Sequence, residues 1–224
     1  MIKKETLEFL TDLKNNNVKE WFEENRNRYE LAKTDILSLT GKLIIEIAGF
    51  DRTIANANLK DTSCITRINR DLRFSKDKTP YKSDYYIVLN KFGRSSPAAF
   101  YYLHIEPDNC FIGGGIWNPE PEELKRCRQE IDFAFKEWSG IINDPTFLKY
   151  FPGGLQGIGV LTKIPKGYTE KNPAIEFLKM KGFCTKESIS DKEVMAADSL
   201  EKVITYFKAV KPMVDFLNRA IEND

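Results

Sequence analysis

The sequence predicts an α+β fold, and three observations carry that expectation. Apolar residues recur at three- and four-residue steps toward both ends of the chain, the spacing of helices with one buried stripe. Aromatic and β-branched runs fill the middle, separated by turn residues, as antiparallel strands require. The length, 224 residues, suits one large core better than two small ones. The expected architecture is a single domain over residues 1–224, with long helices packed around a central antiparallel β-sheet.

Taken in order, Glu5 to Lys14 reads as a short helix with Leu7, Leu10 and Leu13 on one side, broken by Asn15-Asn16-Asn17. A longer helix is expected from Val18 to Ala48. Its stripe runs through Trp21, Phe22, Tyr29, Ala32, Ile36, Leu39, Leu43 and Ile47, and Gly41 is a point of bending or splitting. Residues 51–63 are polar and read as irregular. Strands are expected at Tyr85 to Asn90, Ala99 to Glu106 and Cys110 to Trp117, the last two joined by the turn Pro107-Asp108-Asn109. Asn118-Pro119 has the chemistry of a helix start, and that helix extends to Trp138. Asp144-Pro145 opens a short helix to Tyr150, Val160 to Ile164 reads as a strand, and Pro173 to Met180 as a short helix. A last helix over Ser199 to Ile221 buries Val203, Ile204, Phe207, Val210, Val214, Leu217 and Ile221, with Pro212 as a kink.

Composition narrows the function. The net charge is only +1 and the pI is near 7.6, so the surface as a whole is not that of a protein that coats nucleic acid. No apolar run approaches the roughly 20 residues of a membrane helix, and Met1 to Thr6 lacks the apolar core of a signal peptide. Cys64, Cys110, Cys127 and Cys184 are widely spaced, with no Cys-x-x-Cys pair and a single histidine in the chain. Zinc and His-rich metal sites are thereby excluded, and free thiols in a reducing cytoplasm are expected. Nothing in the residues asks for a cofactor.

One stretch departs from the balanced surface. Between Arg67 and Lys82 stand Arg67, Arg70, Arg73, Lys76, Lys78 and Lys82, against only Asp71 and Asp77, a local net charge of +4. Arginine forks and lysine ammoniums match phosphate and carboxylate oxygens, so this is a candidate anion site. In an extended chain Arg67, Asn69, Asp71 and Arg73 share one face. In a helical turn Arg67, Arg70 and Arg73 lie close together. Thr79-Pro80 does not continue a helix, so a short strand or turn followed by a loop is expected. The expected ligand-binding residues are Arg67, Arg70, Arg73, Lys78, Tyr81 and Lys82, with Asp71, Asp77 and His104 as supporting partners. The ligand class is a phosphate-bearing small molecule. Any catalysis would be charge stabilisation by guanidiniums, with no metal and no covalent nucleophile. Two alternatives stay open: an interaction module or structural salt-bridge staple, and nucleic-acid binding through basic groups beside aromatics.

Several blocks together resemble a bacterial family of conserved hypothetical proteins, the domain of unknown function DUF2461. They are Leu7 to Leu13 followed by Asn16-Asn17 and Trp21-Phe22 with Arg26 and Tyr29; the whole of Arg67 to Lys82; Gly113 to Trp117; and Pro165 to Tyr168 before Pro173. The resemblance implies a single cytoplasmic domain and no particular activity. It also places a His-Pro pair where this chain has Asn172-Pro173.

Three further features have two readings each. Gly113-Gly114-Gly115 marks either tight packing or a ligand floor beside the arginines, and it is no P-loop because no Gly-Lys-Ser/Thr follows. His104, with Glu106 two residues on, is either a core histidine or a base held by that carboxylate. Glu23, Glu24, Glu46, Glu122, Glu123 and Glu130 read as solvated helix faces.

Overall fold

Helices and strands fall in the predicted α+β pattern in the computed structural model, which describes residues 1–73, 76–94 and 97–222. The helices are α1 (Lys4–Asn15), α2 (Lys19–Glu24), α3 (Arg26–Ala48), α4 (Arg52–Ala55), α5 (Asp61–Cys64), α6 (Pro121–Phe133), α7 (Phe135–Ile142), α8 (Pro145–Tyr150), α9 (Ile175–Leu178), α10 (Asp191–Met195) and α11 (Ser199–Glu222). The strands are β1 (Tyr85–Leu89), β2 (Phe100–Ile105), β3 (Phe111–Ile116) and β4 (Phe183–Ser188), and they form one antiparallel sheet in the order β1-β2-β3-β4. No helix among the described residues is long and apolar enough to cross a membrane. The chain divides into two compact units.

The first unit comprises Met1–Arg94, Tyr102–Ile112 and Ser188–Ile204. Helix α3 organises its N-terminal part and packs against α1, α4, α5 and β1. Its apolar stripe is buried as expected through Ala32, Ile36, Leu39, Leu43 and Ile47. Two polar residues share that buried face, Thr40 and Asp35, and Asp35 is a buried carboxylate that accepts from the Lys3 amide at 2.8 Å and the Thr6 hydroxyl at 2.7 Å. A buried charge persists only when it is hydrogen-bonded, and here both bonds fix the start of α1 to α3. The β2–β3 turn places Asp108 at φ 63°, and Asp191 of α10 accepts from the Asp108 amide at 3.1 Å. The second unit comprises Ser95–Tyr101, Gly113–Glu187 and Thr205–Asp224. Its core is aromatic: Trp138 is fully buried among Phe177, Phe183 and Phe216.

Several boundaries differ from expectation. The long N-terminal helix splits at Asn25, not at Gly41. Asn25 leaves helical geometry (φ −102°, ψ 19°), and its side chain donates back to the Trp21 carbonyl at 2.9 Å. Helix α6 begins at Pro121 behind Glu120, two residues later than Asn118-Pro119 suggested, and it ends at Ala134 (φ −107°, ψ 38°) before reaching Trp138. Val160 to Ile164 is no strand; Val160 makes one isolated bridge to Met180. The fourth strand is instead β4, whose first half is buried and whose second half is not. Short helices α4 and α5 lie in the region expected to be irregular. Helix α10 was not expected either, although Ser190 and Glu193 cap it reciprocally.

Candidate anion-binding site

The basic stretch folds back on itself. Residues 68–70 pair with 80–82: the Arg70 amide donates to Pro80 O at 3.0 Å, the Lys82 amide to Ile68 O at 2.7 Å, and Asn69 bridges Tyr81. Extended backbone on both sides follows from Thr79-Pro80, which removes a donor and disfavours helix. Phe74 and Ser75 of the expected block lie outside the described residues.

The Tyr81 backbone is the knot of this ribbon. Its carbonyl accepts from Asn17 Nδ2 and from Arg70 Nε, both at 2.9 Å, while its amide donates to Asn17 Oδ1 at 3.0 Å. The Asn17 side chain thus stands in for a neighbouring strand. The Tyr81 ring is buried and stacks on Phe22, with centroids 4.0 Å apart and planes 14° from parallel.

Most cations of the ribbon are matched locally. Arg70 Nη1 lies 2.8 Å from Asp77 Oδ2. Asp77 also accepts from the Thr79 amide at 2.9 Å and hydroxyl at 2.8 Å, and these bonds hold its carboxyl below the usual carboxylate range. Arg73 grips Asp71 with two nitrogens, at 3.0 and 2.7 Å, which lowers the Asp71 carboxyl likewise. Lys78 Nζ donates to Leu72 O at 3.0 Å. Lys82 is half-buried, and its ammonium makes no hydrogen bond or ion pair among the described residues.

Arg67 points elsewhere. It lines a cleft of about 400 Å³ with Lys33, Arg94, Tyr29, Thr66 and Tyr85, all within the first unit. Three cations, drawn from α3, from the basic stretch and from the segment after β1, therefore meet at one opening. Arg67 is exposed and has no carboxylate partner among the described residues. Among the described residues, Arg94 Nη1 donates to the carbonyls of Thr62 and Ser63, at 3.2 and 3.3 Å. Lys33 has a loose pair with Glu30 at 3.8 Å. The lining also includes Tyr85, which is 1% exposed; its hydroxyl is buried with no hydrogen-bond partner among the described residues. Burial pushes that phenol far above its ordinary value, so it stays protonated and able to donate.

Sequence reasoning found Arg67 but not Lys33 or Arg94 as its companions. Lys33 is four residues from Tyr29, so the two share a helix face, and its ammonium lies 5.7 Å from the Tyr29 ring. That pairing was legible. Nothing in the sequence marked Arg94.

His104 is a core histidine on β2. Its Nε2 lies 3.2 Å from Asp84 Oδ2, its Nδ1 3.1 Å from Asn109 O, and its ring sits between Tyr86 and Phe111, each at 4.2 Å. Glu106, the partner expected from sequence, is farther away at 4.0 Å. Both ring nitrogens face protein oxygens and the residue is buried, so neither nitrogen is open to a ligand. The glycine run is packed tight. A side chain at Gly115 (φ 119°) would meet Phe183 O at 2.0 Å, and one at Gly114 would meet Val210 at 2.9 Å. Among the buried thiols, Cys110 and Cys127 are pushed up to about 12 by burial, so neither is a ready nucleophile.

The fold and cleft describe an α+β protein with a basic opening. A profile of the family described as conserved hypothetical protein (DUF2461) matches residues 5–216, and the chain belongs to that family. No curated protein and no solved structure matches it.

Proposed function

We propose that this is an anion-recognising domain whose ligand is a phosphate-bearing small molecule seated in the cleft walled by Lys33, Arg67 and Arg94. The carrying observation is that three cations from distant parts of the sequence share one opening, and Arg67 has no carboxylate partner among the described residues. Guanidiniums bind phosphate oxygens through charge-assisted, fork-shaped hydrogen bonds. The stretch from Arg67 to Lys82 keeps a net charge of +4 even with Asp71 and Asp77 counted, and such an excess favours encounter with an anion. If the cleft supports a reaction, its contribution is stabilisation of developing negative charge by Arg67 and Arg94. Buried free thiols support a reducing compartment, the cytoplasm, as the place of action.

Titration calorimetry with inorganic phosphate and phosphorylated metabolites tests this. Arg67→Ala and Arg94→Ala are each expected to weaken binding by tenfold or more, the equivalent of about 1.5–3 kcal/mol for a hydrogen bond to a charged group. Unchanged affinity in both variants would remove the proposal.

For the rest of the basic stretch a staple is the better reading. Arg70 holds Tyr81 O and Asp77 together, and Arg73 holds Asp71. Nucleic-acid binding is the weaker alternative, and a steep loss of affinity for single-stranded oligonucleotides with salt would revive it.

A further inference from the structure

The lining of the cleft says more about its ligand than its charge does. Two tyrosines contribute to it, yet neither offers an open aromatic face. Tyr85 is 1% exposed. Tyr29 already has the Arg26 guanidinium 5.5 Å from its centroid, the Lys33 ammonium at 5.7 Å and the Phe22 ring at 5.0 Å. A nucleobase is normally held by stacking on a free aromatic or guanidinium plane; the two tyrosines supply no such plane, and the guanidiniums of Arg67 and Arg94 are the groups assigned to the phosphate. Beyond its cations and the apolar Ile65 and Ile68, the cleft offers hydroxyl and amide chemistry: Thr62, Thr66, Asn69 and the buried phenol of Tyr85.

The Tyr85 hydroxyl is the independent clue. Buried polar groups almost always have a partner, and leaving one unmade is costly. A donor without a partner, on a residue that lines a cavity, is satisfied when a small side-chain shift lets a ligand bring an acceptor to it. Thr66 is partly used, since its hydroxyl accepts from the Tyr86 amide at 3.0 Å, but its own proton remains to be donated. A cleft of about 400 Å³ lies in the usual range for small-molecule sites.

We infer that the ligand is a phosphorylated sugar or polyol, with its phosphate among Lys33, Arg67 and Arg94 and one hydroxyl taken up by the Tyr85 phenol. A hydroxyl suits this place because it accepts from Tyr85 and donates in turn. The inference rests on the anion-site reading above and adds the body of the ligand to it.

The test uses the full chain and titration calorimetry with four probes: inorganic phosphate, glycerol 3-phosphate, glucose 6-phosphate and adenosine 5′-monophosphate. At least one of the two hydroxylated phosphates is expected to bind about tenfold more tightly than inorganic phosphate and than the nucleotide. Tyr85→Phe is expected to weaken that ligand roughly three- to tenfold, the loss of one neutral hydrogen bond, while inorganic phosphate changes less than twofold. Without ligand, Tyr85→Phe is expected to melt no lower than the parent, because it removes an unsatisfied hydroxyl. Asn69→Ala, at an exposed position, is a second variant that weakens the same ligand without touching the core.

The nucleotide binding best, or Tyr85→Phe and Asn69→Ala leaving every affinity unchanged, would overturn the inference. If phosphate binds in an Arg67-dependent way but the hydroxylated probes gain nothing over it, the inference falls and the anion site stands. If none of the four probes binds, or Arg67→Ala alters none of them, both fall.

Discussion

Arg67 and Arg70 are three residues apart, carry the same charge and stand in the same basic stretch, yet they live in different worlds. Arg70 is turned into its own ribbon, where it holds Tyr81 O at 2.9 Å and Asp77 at 2.8 Å. Arg67 is turned outward to a cleft shared with two other cations. The difference teaches that a local excess of charge does not by itself define a binding site. A carboxylate two to seven residues away consumes a guanidinium cheaply, because little chain has to be ordered to bring the two together. The arginine left over is the one able to meet something from outside.

This contrast is open to direct attack. The largest expected effect is at the anchor of the ribbon. Asn17→Ala removes two hydrogen bonds to the Tyr81 backbone and is expected to cost about 2–3 kcal/mol, a drop of roughly 4–12 °C in melting temperature for a chain of this size. A change within 1 °C would mean that the ribbon is not tied down there. Next, Arg70→Ala is expected to cost about 1 kcal/mol, since its ion pair is partly exposed but its bond to Tyr81 O is not replaced. Phosphate addition should not restore that loss; if it does, Arg70 belongs to the binding site and the contrast dissolves.

A smaller effect concerns acid. Asp77 is held below its ordinary range first by the Thr79 amide, then by the Thr79 hydroxyl and by Arg70. A folded-state value below the unfolded one adds stability above the ordinary carboxylate range and loses it as pH falls through and below that range. Wild type is therefore expected to lose more melting temperature between about pH 5 and pH 3 than Asp77→Asn does. Parallel curves would show that Asp77 carries no linked stability. The smallest effect on stability is expected at the cleft: Arg67→Ala should melt within about 0.5 kcal/mol of wild type, as surface substitutions usually do. A large fall there would make Arg67 a second staple.

The same physics explains what was legible. Element types followed from local periodicity. The stripe of α3, the three central strands and the Asp144 cap, which accepts from Thr146 and Phe147, are properties of short windows of sequence. Boundaries were harder, because Asn25 breaks its helix through its own side chain while Gly41, the more obvious breaker, has open space around it and stays helical. β4 was missed because only its first three residues are buried, which leaves too short a pattern to read.

For the candidate site, composition alone picked out the stretch from 67 to 82, since charge density is written in the order of residues. Which of those cations remains available was settled by tertiary contacts. Lys33, Arg67 and Arg94 meet only because α3, the ribbon and the end of β1 converge, and the Tyr85 phenol loses its solvent only because that convergence buries it. Local pairing is dictated by neighbours along the chain; a cavity is dictated by neighbours across space.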